Sequence, residues 1–365
     1  MADVVFIVGA GASVHAGAPV MSNFIDVARD LLAGGQVNDR KKEFETAFKV
    51  ISHLQRVHSK ARLDHNNVEA VFAAVDLART LGKLPGFESG EIDNARKSLV
   101  WMIVRTLEES IKIETVGGHF TGTNEYKQMA RLIAELEGRE PKLSCAVLTF
   151  NYDVAMDLTF CVEGLRFTYG LTPGQGGLPL LKLHGSLNWM RTRDGDRIIV
   201  PFDMQTYQKE VRLQWFGGDR KRQDVTTHVT KNCVELLKRQ EIAVEDEPLL
   251  IPPTWSKGEY YRDIANVWGR AARELEEAKY IFVLGYSLPE TDQFFRSLFA
   301  LGTEGPTILN RIAIFDPNSG PVEQRFRAML GQAVLDRFSA HNMLFESGLV
   351  QIDNWLFQTG KRRAR

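Results

Sequence analysis

Cysteine is scarce in this chain. Its 365 residues include three, Cys145, Cys161 and Cys233, and none forms a C-x-x-C pair. That spacing excludes a zinc ribbon and a disulfide framework and predicts a reducing compartment, the cytoplasm. Long apolar runs are missing too: none approaches the ~20 residues of a membrane span. The apolar start Val4 to Val8 follows Asp3 rather than basic residues and is broken at once by glycine, so it does not read as a signal peptide. Neither sign of charge dominates. Lys and Arg number 45 against 46 Asp and Glu, a net charge of -1, which leaves no overall field for binding nucleic acid. The one basic cluster is Lys361 to Arg365, and it reads as a solvated terminus. His15, His53, His58, His65, His119, His228 and His341 show no metal-ligand spacing such as H-E-x-x-H, so no metal is expected.

What is present is an ordinary globular composition, 44% hydrophobic and 25% charged, long enough for two domains or for one with an insertion. Val4-Val5-Phe6-Ile7-Val8 is too short for a helix and β-branched, so it predicts a buried strand. Gly9-Ala10-Gly11-Ala12-Ser13 and Ala16-Gly17-Ala18-Pro19 follow. Ser22 then reads as the N-cap of a helix carrying Ile25, Ala28 and Leu32 on one face and stopping at Gly34-Gly35. From Asp39 to Glu137 apolar residues recur at helical spacing in four stretches, around Phe44, Val71, Leu99 and Met129. No strand is read between them. These stripes predict an all-helical insertion with its own core. Strand-like text resumes at Ser144 to Phe150, Leu178 to Leu183 and Tyr280 to Leu284, with Arg311 to Phe315 as the last clear strand. Ile198 to Val200 and Leu249 to Ile251 read as shorter strands, and helices are expected over Tyr261 to Ala278 and Asp292 to Leu301. The stretch Arg191 to Glu247 is polar and irregular. The fold class is therefore α/β, a Rossmann-like parallel sheet over 1–38 and 138–365, with a helical insertion over 39–137 and no zinc module.

Four segments stand just after predicted strands: Gly9 to Ser13, Asn151-Tyr152-Asp153, His184-Gly185-Ser186 and Gly285-Tyr286-Ser287. In a parallel sheet they converge on one crevice, where glycines let backbone approach a pyrophosphate and a helix N-terminus offers N–H groups. The dinucleotide fingerprint of dehydrogenases fails, because its third glycine would fall on Val14 and no second strand ending in an acid follows.

Taken together the four segments resemble the sirtuin family of NAD-consuming proteins. Ala10-Gly11-Ala12-Ser13 with Ala16-Gly17-Ala18-Pro19 is similar to its phosphate loop, Phe150-Asn151-Tyr152-Asp153 to its ribose loop, Leu183-His184-Gly185 to its catalytic His-Gly, and Gly285-Tyr286-Ser287 to its late Gly-x-Ser turn. The chain departs from protein-deacylating sirtuins in lacking two cysteine pairs and in following Pro19 with Val20-Met21-Ser22-Asn23-Phe24. Leu183 to Trp189 and Gly285 to Asp292 instead resemble the divergent sirtuin-like NAD hydrolases of prokaryotic anti-phage defence, in the two-gene form with a HerA-type ATPase partner. The resemblance implies NAD as substrate and nicotinamide and ADP-ribose as products. Such an activity needs a gate, and the helical insertion is the largest surface not needed to bind NAD, so a homo-oligomer is expected.

The residue chemistry agrees with that reading. A neutral His serves as a base near ambient pH, and Asn both donates and accepts to a water or ribose hydroxyl without adding charge. His184 is assigned as base and Asn151 as positioning residue. Gly9, Ala10, Gly11, Ala12, Ser13, Asp153, Gly285, Ser287 and Asp316 are assigned to the dinucleotide, Asp316 on the adenine side. Ser13, Asn151 and Asp153 could equally act as helix caps, and Asp292 as a first-turn acid. Two rivals stay open: an NAD-dependent deacylase, and a module that binds NAD or ADP-ribose without turnover.

Overall fold

The computed structural model describes residues 1–56, 63–193, 198–215, 222–251, 258–290 and 292–362. His58, Thr291 and the last three residues of the basic terminus lie outside the described residues, as do parts of the stretch Arg191 to Glu247.

Seven strands form the central sheet: β1 (Val4–Val8), β2 (Cys145–Thr149), β3 (Phe167–Thr168), β4 (Leu178–Lys182), β5 (Tyr280–Leu284), β6 (Arg311–Phe315) and β7 (Phe338–His341). Their order is β7-β6-β5-β1-β2-β4-β3, and every pairing is parallel. A parallel sheet is covered by helices on both faces, so its inner strands are continuous apolar runs rather than alternating ones. β1 obeys this: all five residues are buried. The register aligns the strand ends. Val8 lies opposite Leu284 on one side and Thr149 on the other, Thr149 faces Lys182, and Leu284 faces Phe315. The loops that follow these strands therefore emerge side by side.

The region 39–137 holds the expected helices, Lys41–Arg56, Val68–Leu81, Ile92–Ser110 and Asn124–Gly138. It is not helical throughout. Ile113–Val116 and His119–Phe120 form an antiparallel hairpin, extended by Arg222–Val225 from the irregular stretch. The cause is local: Ile113 and Thr115 point inward while Glu114 and Val116 point out, and Gly117-Gly118 makes the tight turn. The Asn124–Gly138 helix packs on β2 and on helices Ala155–Val162 and Phe345–Arg362, as a crossover helix of the sheet.

Three further expectations are corrected. The first helix starts at Phe24 with Asn23 in the cap position, not Ser22. Arg311 to Phe315 is not the last strand, since β7 follows; only Phe338 of its four residues is a large apolar side chain, which left no pattern to read. Part of the irregular stretch is ordered as a second sheet, in which Gly185–Thr192 pairs antiparallel with Ile199–Pro201 and with Val244–Leu250. No helix among the described residues is long and apolar enough to cross a membrane.

Candidate active site

The chain leaves β1 toward β2 on one side and returns through β5 on the other, so β1 and β5 flank a topological switch point. In open α/β sheets the ligand crevice lies there, outside the carboxyl ends of the strands. Two glycine loops meet in it. The Gly11 N–H donates to the Gly285 carbonyl at 3.0 Å. A Cβ on Gly9 would lie 2.6 Å from that same oxygen, and one on Gly285, whose φ is +62°, would lie 2.4 Å from the Ala12 nitrogen. These glycines are thus required by the contact of one loop with the other. The residues after Gly9 form a short 3-10 turn, Ala10–Ala16, closed by Gly17, so Ser13 caps no α-helix.

Above the loops is a cavity of about 510 Å³. Of the residues assigned from sequence, Ala10, Gly11, Asn151, Asp153, His184, Gly285, Ser287 and Asp316 line it. Gly9, Ala12 and Ser13 do not; they lie behind its surface. The opposite wall comes from the helical region, through Val68, Glu69 and Phe72 on one helix and Ile103 and Leu107 on another. The helical region is therefore not set apart from the site, which the sequence alone gave no means of seeing. Four carboxylates, of Glu69, Asp153, Asp292 and Asp316, line the cavity, and among the described residues no Lys or Arg does.

Behind the cavity surface runs a buried polar network. Ser13 is fully buried; its hydroxyl donates to Asp153 Oδ2 at 3.0 Å and receives Asn151 Nδ2 at 3.0 Å, with the Tyr126 hydroxyl at 2.7 Å. A hydroxyl has one proton and two lone pairs, so all of its capacity is used inside the protein. Asp153 Oδ1 takes the Ala155 N–H at 3.0 Å, so Asp153 satisfies the first N–H of the Ala155–Val162 helix, whose cap position is Val154, as well as partnering Ser13. Burial holds the Asp153 carboxyl above its usual pKa, against the pull of the Lys182 cation. Lys182, 1% exposed, donates to the Asp153 carbonyl and sits 3.1 Å from Asp157 Oδ2; Asp157 is equally buried and takes the Tyr169 hydroxyl at 2.6 Å. Tyr126, Lys182 and Asp157 were not found by sequence reasoning. Tyr126 reads as one more apolar-face residue of its helix, and a lysine at a strand end gives no sign of burial.

His184 stands at the end of β4, 3% exposed. Phe150 meets the imidazole edge-on at 5.1 Å and itself stacks on Tyr286 at 4.0 Å. Nε2 lies 3.6 Å from Asp292 Oδ2. Asn151 lies across the cavity surface with Oδ1 buried and without a hydrogen-bond partner. A buried acceptor left open is costly, and this one belongs to a residue of the cavity wall. No group of three His, Cys, Asp or Glu among the described residues could hold a metal ion. A chelator is accordingly expected to leave the thermal unfolding midpoint unchanged, because a structural zinc contributes folding energy outright; a fall in Tm on adding EDTA would reveal a metal.

No protein-family model and no curated protein matches the chain. Solved structures of Sir2 proteins do. A complex of Sir2 with an inhibitor, 2′-O-acetyl-ADP-ribose and a deacetylated peptide is 13% identical over 98% of this chain and 94% of its own, at a TM-score of 0.37. A variant Sir2 homologue bound to ADP-ribose is 14% identical over 97% and 92%, at a TM-score of 0.39.

Proposed function

We propose that this chain is an NAD glycohydrolase, cleaving NAD to nicotinamide and ADP-ribose. The observation that carries this reading is that Asn151 and His184, from the ends of neighbouring strands, reach one cavity beside the glycine loops at the switch point. NAD is the substrate. Its nicotinamide is cationic, which suits a cavity lined by carboxylates. Breaking the bond from ribose C1′ to the nicotinamide nitrogen builds positive charge on the sugar, and the bonding pair leaves with neutral nicotinamide. His184 takes a proton from the attacking water as its oxygen bonds to C1′; Asn151 Oδ1 accepts from that water or from a ribose hydroxyl. Ala10, Gly11 and Gly285 present backbone to the pyrophosphate, while Ser287 and Asp316 meet the adenine side. Gly9, Ala12 and Ser13 support the loops from behind the surface, and Asp153, at the cavity wall, holds Ser13 in place.

Incubating the purified protein with NAD and following nicotinamide release tests the reading. Intact NAD, or a strict need for an acyl-lysine peptide, would overturn it.

The biological use we propose is depletion of NAD during anti-phage defence in the cytoplasm, where the three thiols, all free, stay reduced. Such an activity needs a gate, for which we propose a homo-oligomer working with a HerA-type ATPase. The outer face of the Val68–Leu81 helix exposes Leu77 and Leu81, one turn apart, and supports assembly there. A stable interface buries about 1,200–2,000 Å² in total. Light scattering is expected to show an oligomer, and nicotinamide release to change when the ATPase is added; a monomer with full turnover by itself would contradict both.

A further inference from the structure

We propose that Asp292 is a positioning residue for His184: from the start of the Gln293–Gly302 helix, its carboxylate fixes which imidazole nitrogen carries the proton and stabilises the ring once it accepts a second. This deepens the proposed function, and its kinetic consequence rests on His184 as the proton acceptor.

The geometry comes from three elements. Asp292 is 1% exposed. Its Oδ1 accepts the Phe295 N–H at 3.2 Å, which caps the helix and fixes the carboxylate plane. Its Oδ2 accepts the Tyr286 hydroxyl at 2.8 Å and points at His184 Nε2, 3.6 Å away. Burial, with the Asp292 charge next to it, keeps the Tyr286 phenol in its neutral, donating form. The carboxylate is thus held by two donors and aimed at the ring. At 3.6 Å the contact is an ion-pair approach and not yet a hydrogen bond, which needs about 3 Å. Nε2 carries the proton toward Asp292, and Nδ1 is left as the acceptor.

The surroundings explain why a carboxylate is needed. Phe150 meets the ring edge-on and Tyr152 lies tilted beside it, with Tyr286 stacked on Phe150, and taking such a ring out of water disfavours its charged form. A base that cannot hold its proton is a poor base. Asp292 opposes that penalty. The other ionisable groups sharing the cavity are Glu69 of the helical region, Asp153 and Tyr152 after β2, Tyr286 after β5 and Asp316 after β6. Asp292 is the carboxylate whose ion-pair distance to the imidazole is established.

The test is Asp292→Asn, which keeps an oxygen for the Phe295 N–H and removes the charge. The pKa of the His184 imidazole is read by NMR, with His184→Gln assigning the signal. An opposite charge within ~4–6 Å shifts a pKa by roughly 1–3 pH units, so in Asp292→Asn it is expected to fall by about that much. The acid limb of kcat should move to lower pH in step, with kcat down roughly 10²-fold or more and KM for NAD little changed. Tyr286→Phe keeps the aromatic stack and should give a smaller shift in the same direction. An unchanged His184 pKa in a folded Asp292→Asn protein would overturn the inference, and so would a loss of stability with no shift in the pH profile. Because the NMR readout needs no turnover, it still decides the role of Asp292 if NAD proves not to be cleaved.

Discussion

Replacing His184 by Ala is expected to lower nicotinamide release by roughly 10²–10⁴-fold, the range for loss of a positioned acid–base group. Asn151→Ala should fall in the same range. The two changes differ in what else they do. His184 borders an existing cavity, so its truncation widens that space and leaves the sheet intact. Asn151 also donates Nδ2 to Ser13. Removing it leaves a buried hydroxyl one partner short, at a cost of about 1–3 kcal/mol. Both positions stand just after strands, which by itself gives no reason for the variants to differ in stability; the Asn151–Ser13 hydrogen bond separates them. Urea unfolding of both proteins alongside the kinetics checks this, and near wild-type turnover in either would refute the assignment.

Replacing Lys182 by Met is expected to destabilise the fold by about 3–5 kcal/mol, the penalty for leaving one member of a buried ion pair uncompensated. Lys182 and Asp157 are each 1% exposed and 3.1 Å apart, so water cannot take over the role of the missing partner. Lys182 also holds the Asp153 carbonyl, and through Asp153 the Ser13 and Asn151 side chains; NAD turnover should fall as well. Replacing both charges, Lys182→Met with Asp157→Leu, should recover much of the stability, since a well-packed apolar pair of similar volume often matches a buried ion pair. Chemical denaturation of the two variants gives the comparison. A Lys182→Met protein as stable as wild type would mean that the Lys182–Asp157 pair contributes nothing to the fold.

The strands that build the site were legible because a parallel sheet buries both faces of its strands. Val4–Val8 and Tyr280–Leu284 are continuous apolar runs with no competing helical period, and both match the structure at each end. The four loops could be placed on one crevice because strand ends in such a sheet share a side. What could not be read was contact at a distance. Nothing near Gly9 or Gly285 shows that each is a glycine because of the other. Tyr126 lies far from Ser13 in sequence and reaches it only when the Asn124–Gly138 helix packs on the sheet. Val68, Phe72, Ile103 and Leu107 look like the core stripe of an independent bundle, and only tertiary packing turns part of that stripe toward the cavity. The hairpin at Ile113 to Phe120 was different. Its alternation and Gly-Gly turn were in the text, masked by the strong helical periods on both sides.

The interlock of the Gly9–Gly11 loop with Gly285 also sets when the site comes into being during synthesis. β1 is made well before β5, one of its two neighbours, because Val4–Val8 and Tyr280–Leu284 lie far apart in sequence. Contacts of such long sequence separation form late, because their loop-closure entropy must be met before they stabilise anything. Until residues 280–292 have emerged there is no crevice between the two glycine loops and no Asp292 beside His184. A chain cut short before residue 280 therefore has neither the crevice nor the carboxylate beside His184. On the proposed function, this topology keeps chains without residues 280–292 from consuming NAD.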